Sequence, residues 1–408
     1  MTQALLREIE NGSKSALIKK RIISYYIHNG NSTITDLSTI LNLSIPTVTK
    51  FIDEMCLSGL LTEYGKLERS GGRHPSLYGL NPLSGYFIGV DVKRYSLNIG
   101  LINFSGEMIE SQLNVPYVFE NTMSGLEALC QQIKNFVEAL DIDSERILNI
   151  CVNVSGRVNP DSGYSYSWFN FGEAPLAQVM SDMVGYPVCV ENDTRSMTYG
   201  EFMKGAAKSY KNLLYVNASW GIGLGMILDG KIYLGKSGFA GEFGHIHAYE
   251  NQVICHCGKK GCLETEASGQ AVYRKLIERV KNGEISVLSD DINAGKDITL
   301  EQVVKAVNNE DIMCIELVEE AGIELGKSIA GLINIFNPEA VVIGGTLSMS
   351  GDYLVQPLKT AIRKYSLNLV NKDTIVCASS LRNKAGMIGA CMVARSRLFE
   401  DSYSSMFK

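Results

Sequence analysis

"GHIHAYENQVICHCGKKGCLE", residues 244–264, brings Cys255, Cys257 and Cys262 within eight residues, with His245 ten residues ahead of the first thiol. Three thiolates and an imidazole make a complete tetrahedral shell for zinc, a metal that sulfur and imidazole ligands select. Because four protein ligands leave no open coordination position, the spacing predicts a structural Zn2+ rather than a catalytic one. Buried free cysteines are the alternative, but Gly258 and Gly261 stand where a loop has to bend around an ion. His247 and His256 are read as satisfied or exposed histidines, not as a fifth ligand.

The rest of the chain sets the context for this loop. At 408 residues it exceeds the size at which one hydrophobic core keeps growing, which predicts two or three domains. With 45% hydrophobic and 20% charged residues it has the composition of a soluble globular protein, and no run approaches the roughly 18–20 apolar residues of a membrane span. The opening "MTQALLREIENGSKSALIKK", residues 1–20, carries Glu8 and Glu10 among its apolar residues and lacks a signal-peptide core. A cytoplasmic location is therefore expected, with no membrane partner. The ten cysteines are then expected to be reduced, so a clustered set needs a reason other than disulfides. Charge is uneven: residues 1–80 hold 9 Lys/Arg against 7 Asp/Glu, leaving 38 − 9 = 29 against 44 − 7 = 37 for the remainder. An acidic body argues against nucleic acid wrapping the whole protein and leaves the N-terminal segment as the contact.

That segment reads as a DNA-binding module. Ile18, Ile22, Tyr25 and Tyr26 fall at helical spacing and end at Asn29-Gly30, and Thr33 with Asp36 resembles a capping box ahead of Leu37, Ile40 and Leu41. Ser44 then caps a third helix with Pro46 in its first turn, Val48, Ile52 and Met55 facing inward, and Thr47, Thr49, Lys50 and Asp53 facing out. Small hydroxyls and one lysine at the front of a second helix suit recognition in a major groove. The following "GLLTEYGKLERSGGRHPSLYGL", residues 59–80, alternates as a hairpin and sets Lys66, Arg69, Arg73 and His74 near a glycine-rich tip. The pattern is a winged helix-turn-helix with Thr47, Thr49, Lys50, Arg69, Arg73 and His74 as candidate DNA contacts; the alternative is a three-helix module used for protein contacts.

The run "GEFGH" at 241–245, followed by "CHCGKKGCLE" at 255–264, resembles the signature of the ROK family, the repressor, open-reading-frame and kinase group of sugar-handling proteins. "GRVNP" at 156–160, "ENDTR" at 191–195, "GIGLG" at 221–225 and "VVIGG" at 341–345 extend the resemblance in family order. It implies an α/β body of two lobes around a cleft, as in actin-like ATPases, behind the winged helix-turn-helix. The corresponding domains are 1–80 for DNA binding, 81–195 for the first lobe with a helix near 385–400 folding back, and 196–384 for the second lobe with the zinc site. By the same resemblance Asn192, Asp193, Glu242, His245 and Glu264 bind sugar hydroxyls, and Asn159 and Asn170 are weaker candidates for the opposite wall. Carboxylates, amides and imidazole suit this task, because a wrong epimer leaves one of them unpaired. His245 then serves zinc with one ring nitrogen and sugar with the other.

The nucleotide half of the resemblance fails. "GVDVKRYSLNIGLINFSGEMI", residues 89–109, reads as a strand, a sharp turn at Asp91-Val92-Lys93-Arg94-Tyr95 and a returning strand. Kinases of the family carry an Asp-Gly-Gly-Thr turn there and a Gly-Thr-Gly turn in the second lobe, both meeting ATP phosphates with bare backbone. Here Val92, Lys93, Arg94 and, at Ser219-Trp220-Gly221, Trp220 replace the small residues, which predicts that ATP is excluded. The expected function is a sugar-responsive repressor, not an enzyme: a free or phosphorylated sugar closes the lobes and moves the paired modules of a homodimer or homotetramer out of register with a palindromic operator. The rivals are a sugar kinase with a regulatory DNA-binding arm and a scaffold that answers to a protein partner.

Overall fold

In the computed structural model, which describes residues 2–67 and 74–400, the N-terminal segment begins with α1 (Thr2–Glu10) and α2 (Lys14–Asn29). It continues with α3 (Ile34–Leu41), α4 (Ile45–Leu57) and the antiparallel hairpin β1 (Leu61–Lys66) and β2 (Ser76–Leu80). Local chemistry sets each helix start: the side chains of Ser13, Thr33 and Ser44 accept the backbone N–H of Ala16, Asp36 and Thr47. Asn42 ends α3 in the left-handed region at φ 51°, which asparagine tolerates, and Pro46 sits in the first turn of α4. Val48, Ile52 and Met55 are fully buried, as their spacing requires. Where the apolar spacing starts the first helix near Ile18, α2 reaches back to Lys14 under its Ser13 cap. Helix α1 precedes it, with the Thr2 hydroxyl donating to the Ser84 carbonyl at 2.7 Å.

The chain divides into two compact units, one built from Met1–Tyr199 with the chain from Gly386 onward, the other from Gly200–Ala385. Behind the hairpin, the first unit contains β3 (Tyr86–Val92), β4 (Ser96–Asn103), β5 (Met108–Pro116), α5 (Met123–Glu138) and β6 (Ile147–Val154). A short hairpin of β7 (Val158–Asn159) and β8 (Tyr164–Ser165) leads to α6 (Leu176–Val184), β9 (Val188–Asn192) and α7 (Asp193–Lys204). The sheet order is β5-β4-β3-β6-β9, antiparallel through β3 and parallel from β3 to β9. Strand alternation sends Ile88 and Val90 into the core with Leu129, Ile133 and Phe136 of α5 and Met180 of α6.

The opposite face of that sheet carries the C-terminal helix, Ala385–Phe399. Phe87, Gly89 and Asp91 share this face by the same alternation. A side chain at Gly89 would meet the Met387 carbonyl and the Cys391 N–H, so the helix backbone lies directly on the strand. Amides of β6 fasten it: Asn149 Nδ2 donates to the Ala394 carbonyl and Asn153 Nδ2 to the Gly386 carbonyl, each at 2.9 Å. Phe104 meets Phe399 edge-on at 5.6 Å between ring centroids. One sequence expectation is corrected here. Asp91 is not at the bend but inside β3, opposite Asn98, with a 1% exposed residue surface; the turn itself spans 93–96, closed by the Lys93 N–H donating to the Ser96 carbonyl at 2.9 Å.

The second unit repeats the plan with β10 (Leu213–Ala218), β11 (Ile222–Leu228), β12 (Lys231–Ile232), β13 (Ala340–Gly344) and β14 (Ile375–Ala378). Their order is β12-β11-β10-β13-β14, again antiparallel through the first three and parallel in the last. Helices α8 (Glu264–Ala267), α9 (Gly269–Lys281), α10 (Ser289–Asn293), α11 (Leu300–Asn308), α12 (Ile312–Phe336), α13 (Asp352–Tyr365) and α14 (Asn368–Asp373) complete it. Leu214, Val216, Val341 and Ile343 of the sheet share a core with Leu276 of α9, Leu325 and Ile329 of α12, and Leu358 of α13. Among the described residues no helix is long and apolar enough to cross a membrane.

Candidate functional site

The thiol loop of the second unit hangs between β12 and α8. Short backbone bonds shape it: Cys255 N–H to the Lys259 carbonyl at 2.8 Å and Gly258 N–H back to the Cys255 carbonyl at 2.9 Å. Gly261, at φ 74°, lies against the Tyr249 carbonyl, where no side chain fits. The loop brings one ligand atom each of His245, Cys255, Cys257 and Cys262 within 4.8 Å of one another. Cys257 Sγ lies 3.6 Å from Cys262 Sγ, and Cys255 Sγ lies 3.5 Å from His245 Nδ1. Zinc–sulfur bonds of about 2.3 Å in a tetrahedron set sulfur–sulfur edges of about 3.8 Å, so the cluster has the span of a metal shell. Burial pushes the Cys255 thiol up to about 12. Against the same upward pull of burial, the Lys259 backbone N–H and hydrogen bonds from Cys255 and Cys262 hold Cys257 below the ordinary thiol range.

His245 joins this cluster to a carboxylate. Its Nδ1 faces the thiols, and its Nε2 stands 3.8 Å from Oε2 of Glu242, a largely exposed side chain. Glu264, at the start of α8, is buried: Oε2 accepts the Ile222 N–H at 2.9 Å and Oε1 meets His256 Nδ1 at 2.8 Å. His256 thus belongs to the site, in a second group with His245 and Glu264 whose ligand atoms also lie within 4.8 Å. Sequence spacing set it aside as spare, because nothing in the chain order signals that its ring turns toward Glu264. The Trp220 indole packs on Tyr273 of α9, 5.5 Å between centroids, and both line a cavity of about 500 Å3 with Ile254, Arg274 and Ile277.

In the first unit, Asn192 ends β9 and Asp193 begins α7. Asp193 Oδ1 accepts the Thr194 N–H at 2.7 Å, and Oδ2 accepts the Ser155 hydroxyl at 2.7 Å. Burial raises the Asp193 carboxyl above its ordinary value, and the Ser155 and Thr194 donors offset part of that rise. Asn192 Nδ2 donates to the Gly156 carbonyl at 3.0 Å, and its Oδ1 accepts the Arg195 N–H at 3.0 Å. Ser155 is a partner that motif reading missed; its position next to "GRVNP" is the only signal. Asn159 spends its side-chain Oδ1 on the N–H groups of Asp161 and Ser162, each at 3.1 Å, while Asn170 is exposed.

On the DNA module, Lys50 is exposed on α4, 3.9 Å from Glu54, which Lys19 also meets at 2.9 Å. The Thr47 hydroxyl pairs with the Ser44 hydroxyl at 2.7 Å, and Thr49 donates to the Ile45 carbonyl at 2.9 Å. His74 is exposed, with Nδ1 3.2 Å from the Leu67 carbonyl, whereas Arg69 and Arg73 lie outside the described residues.

A winged helix-turn-helix ahead of a twice-repeated sheet plan, with a thiol loop in the second repeat, defines a DNA-binding protein built on an actin-like ATPase fold. The chain belongs to the ROK family, which it matches over residues 87–397, and residues 17–62 match the winged helix-turn-helix DNA-binding family. It is 28% identical over 376 residues to the xylose repressor of Caldicellulosiruptor bescii, covering 91% of this chain and 93% of that protein. It is 32% identical over 314 residues to a glucokinase of Halalkalibacterium halodurans, covering 74% of this chain and 93% of the other. Among solved structures, a ROK family transcriptional regulator, a homolog of the Escherichia coli MLC protein, superposes with a TM-score of 0.77 at 26% identity, covering 94% of this chain and 98% of that one.

Asp91 yields a pH prediction. Burial raises its carboxyl to about 6, the Lys93 charge and the Asn153 amide offset only part of that effect, and its Oδ2 finds no hydrogen-bond partner among the described residues. An unfolded aspartate titrates near 4, so the folded chain keeps the proton over a window where the unfolded chain has lost it. Stability contributed by the protonated form is present below about pH 4 and is lost as pH rises to about 6. At pH 7.5, Asp91→Asn is expected to be more stable than the parent by about 3 kcal/mol, with the difference vanishing below about pH 4. Urea denaturation across that range checks it.

Proposed function

We infer that this protein is a transcriptional repressor that binds operator DNA through its winged helix-turn-helix and responds to a sugar bound by its ROK body. The observation that carries the reading is the union, in one chain, of a DNA-binding module at 17–62 with a ROK body at 87–397. Helix α4 is assigned to the major groove, with Thr47, Thr49 and Lys50 toward the bases and Arg69, Arg73 and His74 of the wing toward phosphate. A palindromic operator calls for paired modules, so the working form is a homodimer or a higher even oligomer.

For the sugar, we assign Asn192 and Asp193 of the first unit and Glu242, His245 and Glu264 of the second to its hydroxyls, with Asn159 and Asn170 in lesser roles. Glu264 already accepts two bonds, and a carboxylate retains lone pairs for another donor. His245, Cys255, Cys257 and Cys262 would hold a zinc ion, which would fix the His245 ring through the Nδ1 that faces the thiols and leave Nε2 to Glu242 and the ligand. Asp193 acts here as a hydrogen-bond acceptor. The kinase reading draws on that same carboxylate as a general base and on the glucokinase relative. Against it, N–H groups that a phosphate cradle points at its anion are spent internally: Lys93 on Ser96, Ser219 on the Gly221 carbonyl, and Ile222 on Glu264.

A thermal-shift screen of free and phosphorylated pentoses, hexoses and N-acetylhexosamines tests the reading. A sugar at 100 times its dissociation constant adds about 2.7 kcal/mol of stability, and the same sugar is expected to change affinity for a duplex selected from random DNA. Binding of DNA that no sugar alters points instead to a protein effector, and ATP-dependent phosphorylation of any sugar restores the kinase.

Two substitutions separate the parts. Arg73→Ala is expected to weaken duplex binding and lower the slope of log affinity against log salt by about 1, without affecting sugar affinity. Cys257→Ser is expected to lose most of the one zinc per chain found by elemental analysis of the untagged parent, and to bind sugar more weakly because His245 loses its anchor.

A further inference from the structure

We propose that α7 and the C-terminal helix form a relay from Asp193 to the DNA module, with Tyr199, Glu400 and His28 as its positioning residues. The proposal rests on the sugar-responsive reading above and adds the route by which sugar reaches the operator-binding helices.

The route lies within the first unit. Asp193, the first residue of α7, holds the Ser155 hydroxyl at 2.7 Å. Three residues on, Ser196 donates its hydroxyl to Asn153 Oδ1 at 2.5 Å, and Asn153 in turn donates to the Gly386 carbonyl of the C-terminal helix at 2.9 Å. The Ser196 carbonyl lies directly against Gly389 of that helix, where a side chain would find no room. Three residues further, the fully buried Tyr199 donates to Ser396 Oγ at 2.8 Å and stands 3.5 Å from Glu400 Oε2. Spacing of three keeps these residues on one stripe of α7, so the stripe and the C-terminal helix move together or break their bonds together.

Glu400 carries the route across to the DNA module. It is 3% exposed, and its N–H still bonds the Ser396 carbonyl at 2.8 Å, so it rides on the end of the C-terminal helix. Its Oε1 meets His28 Nε2 at 2.8 Å, a contact spanning 372 positions of sequence. His28 stands in the last turn of α2, whose Ile22, Tyr25 and Tyr26 belong to the core of the DNA module. Arg395, buried on the same helix and donating to the Phe104 carbonyl, is a further charge near Glu400. A buried carboxylate deprived of its partners is costly, so a displacement of α7 at Tyr199 is transmitted to the seat of α2. Ser84 ties the module at the covalent junction, its Oγ donating to the Gly59 carbonyl and its own carbonyl accepting the Thr2 hydroxyl, each at 2.7 Å, whereas Glu400 reaches the module from the far end of the chain.

The experiment uses the full-length protein, a duplex selected from random DNA by the parent, and a panel of D-glucose, D-xylose, N-acetyl-D-glucosamine and their phosphate esters. Duplex affinity is measured with and without each sugar for the parent, Tyr199→Phe, Glu400→Gln and His28→Gln, and sugar affinity is measured in parallel by calorimetry. Tyr199→Phe removes one oxygen only and guards against misfolding of the charged-site variants, with melting temperature as the control. The parent is expected to show a sugar-induced change in duplex affinity of about 5-fold or more, the usual lower range of allosteric coupling. In each variant that change is expected to fall below about 2-fold while sugar affinity and sugar-free duplex affinity stay within about 3-fold of the parent. A merely structural role moves sugar-free affinity and stability but leaves the ratio intact, and that result overturns the relay alone. A parent that no sugar affects overturns the sugar-responsive reading and the relay with it.

Discussion

The seating of the C-terminal helix on the β3–β6 face is the interaction on which the first unit depends. Gly89 lets helix backbone touch strand backbone, and the side-chain amides of Asn149 and Asn153 in β6 then donate hydrogen bonds to the buried carbonyls of Ala394 and Gly386. Such contact is costly unless every polar group is satisfied, so those asparagines are a condition of the close fit. The same arrangement buries Asp91 under the first turn of the helix and places Ser196 and Tyr199 of α7 within reach of it. Asp91, α7 and, through Glu400 and His28, α2 thereby all bear on one C-terminal segment.

The second unit solves a different problem. Its thiol loop is a run of turns that gains order from short backbone bonds. Glu264 is anchored to Ile222 at the edge of the sheet, while His256 reaches it from the loop, so one carboxylate ties the cysteine turn to β11. The candidate side chains of each unit are thus held by bonds inside that unit.

Much of the DNA module, and the grouping of His245 with Cys255, Cys257 and Cys262, was legible in the chain. Helix caps at Thr33 and Ser44 and the inward set Val48, Ile52 and Met55 follow from local rules, and the thiols announce themselves by spacing within one loop. The two-lobed plan was legible only through the family-ordered motifs; the strand order within each sheet was not, because strands obey only a two-residue alternation and pairing order leaves no mark on composition. The place of Asp91 was misjudged for a related reason: a carboxylate beside Lys93 reads as a polar bend, while burial by a helix from the far end of the chain is invisible locally.

What the sequence alone determined, then, are the properties that neighbours along the chain control: helix starts, the turn glycines, the thiol spacing and the family-ordered motifs. Tertiary structure alone decided which distant groups meet. Ser155 reaches Asp193 across 38 positions, His256 turns onto Glu264, and Glu400 finds His28 across 372. The physical reason is that a hydrogen bond or ion pair acts over about 3 Å, and only the folded backbone brings such residues to that distance.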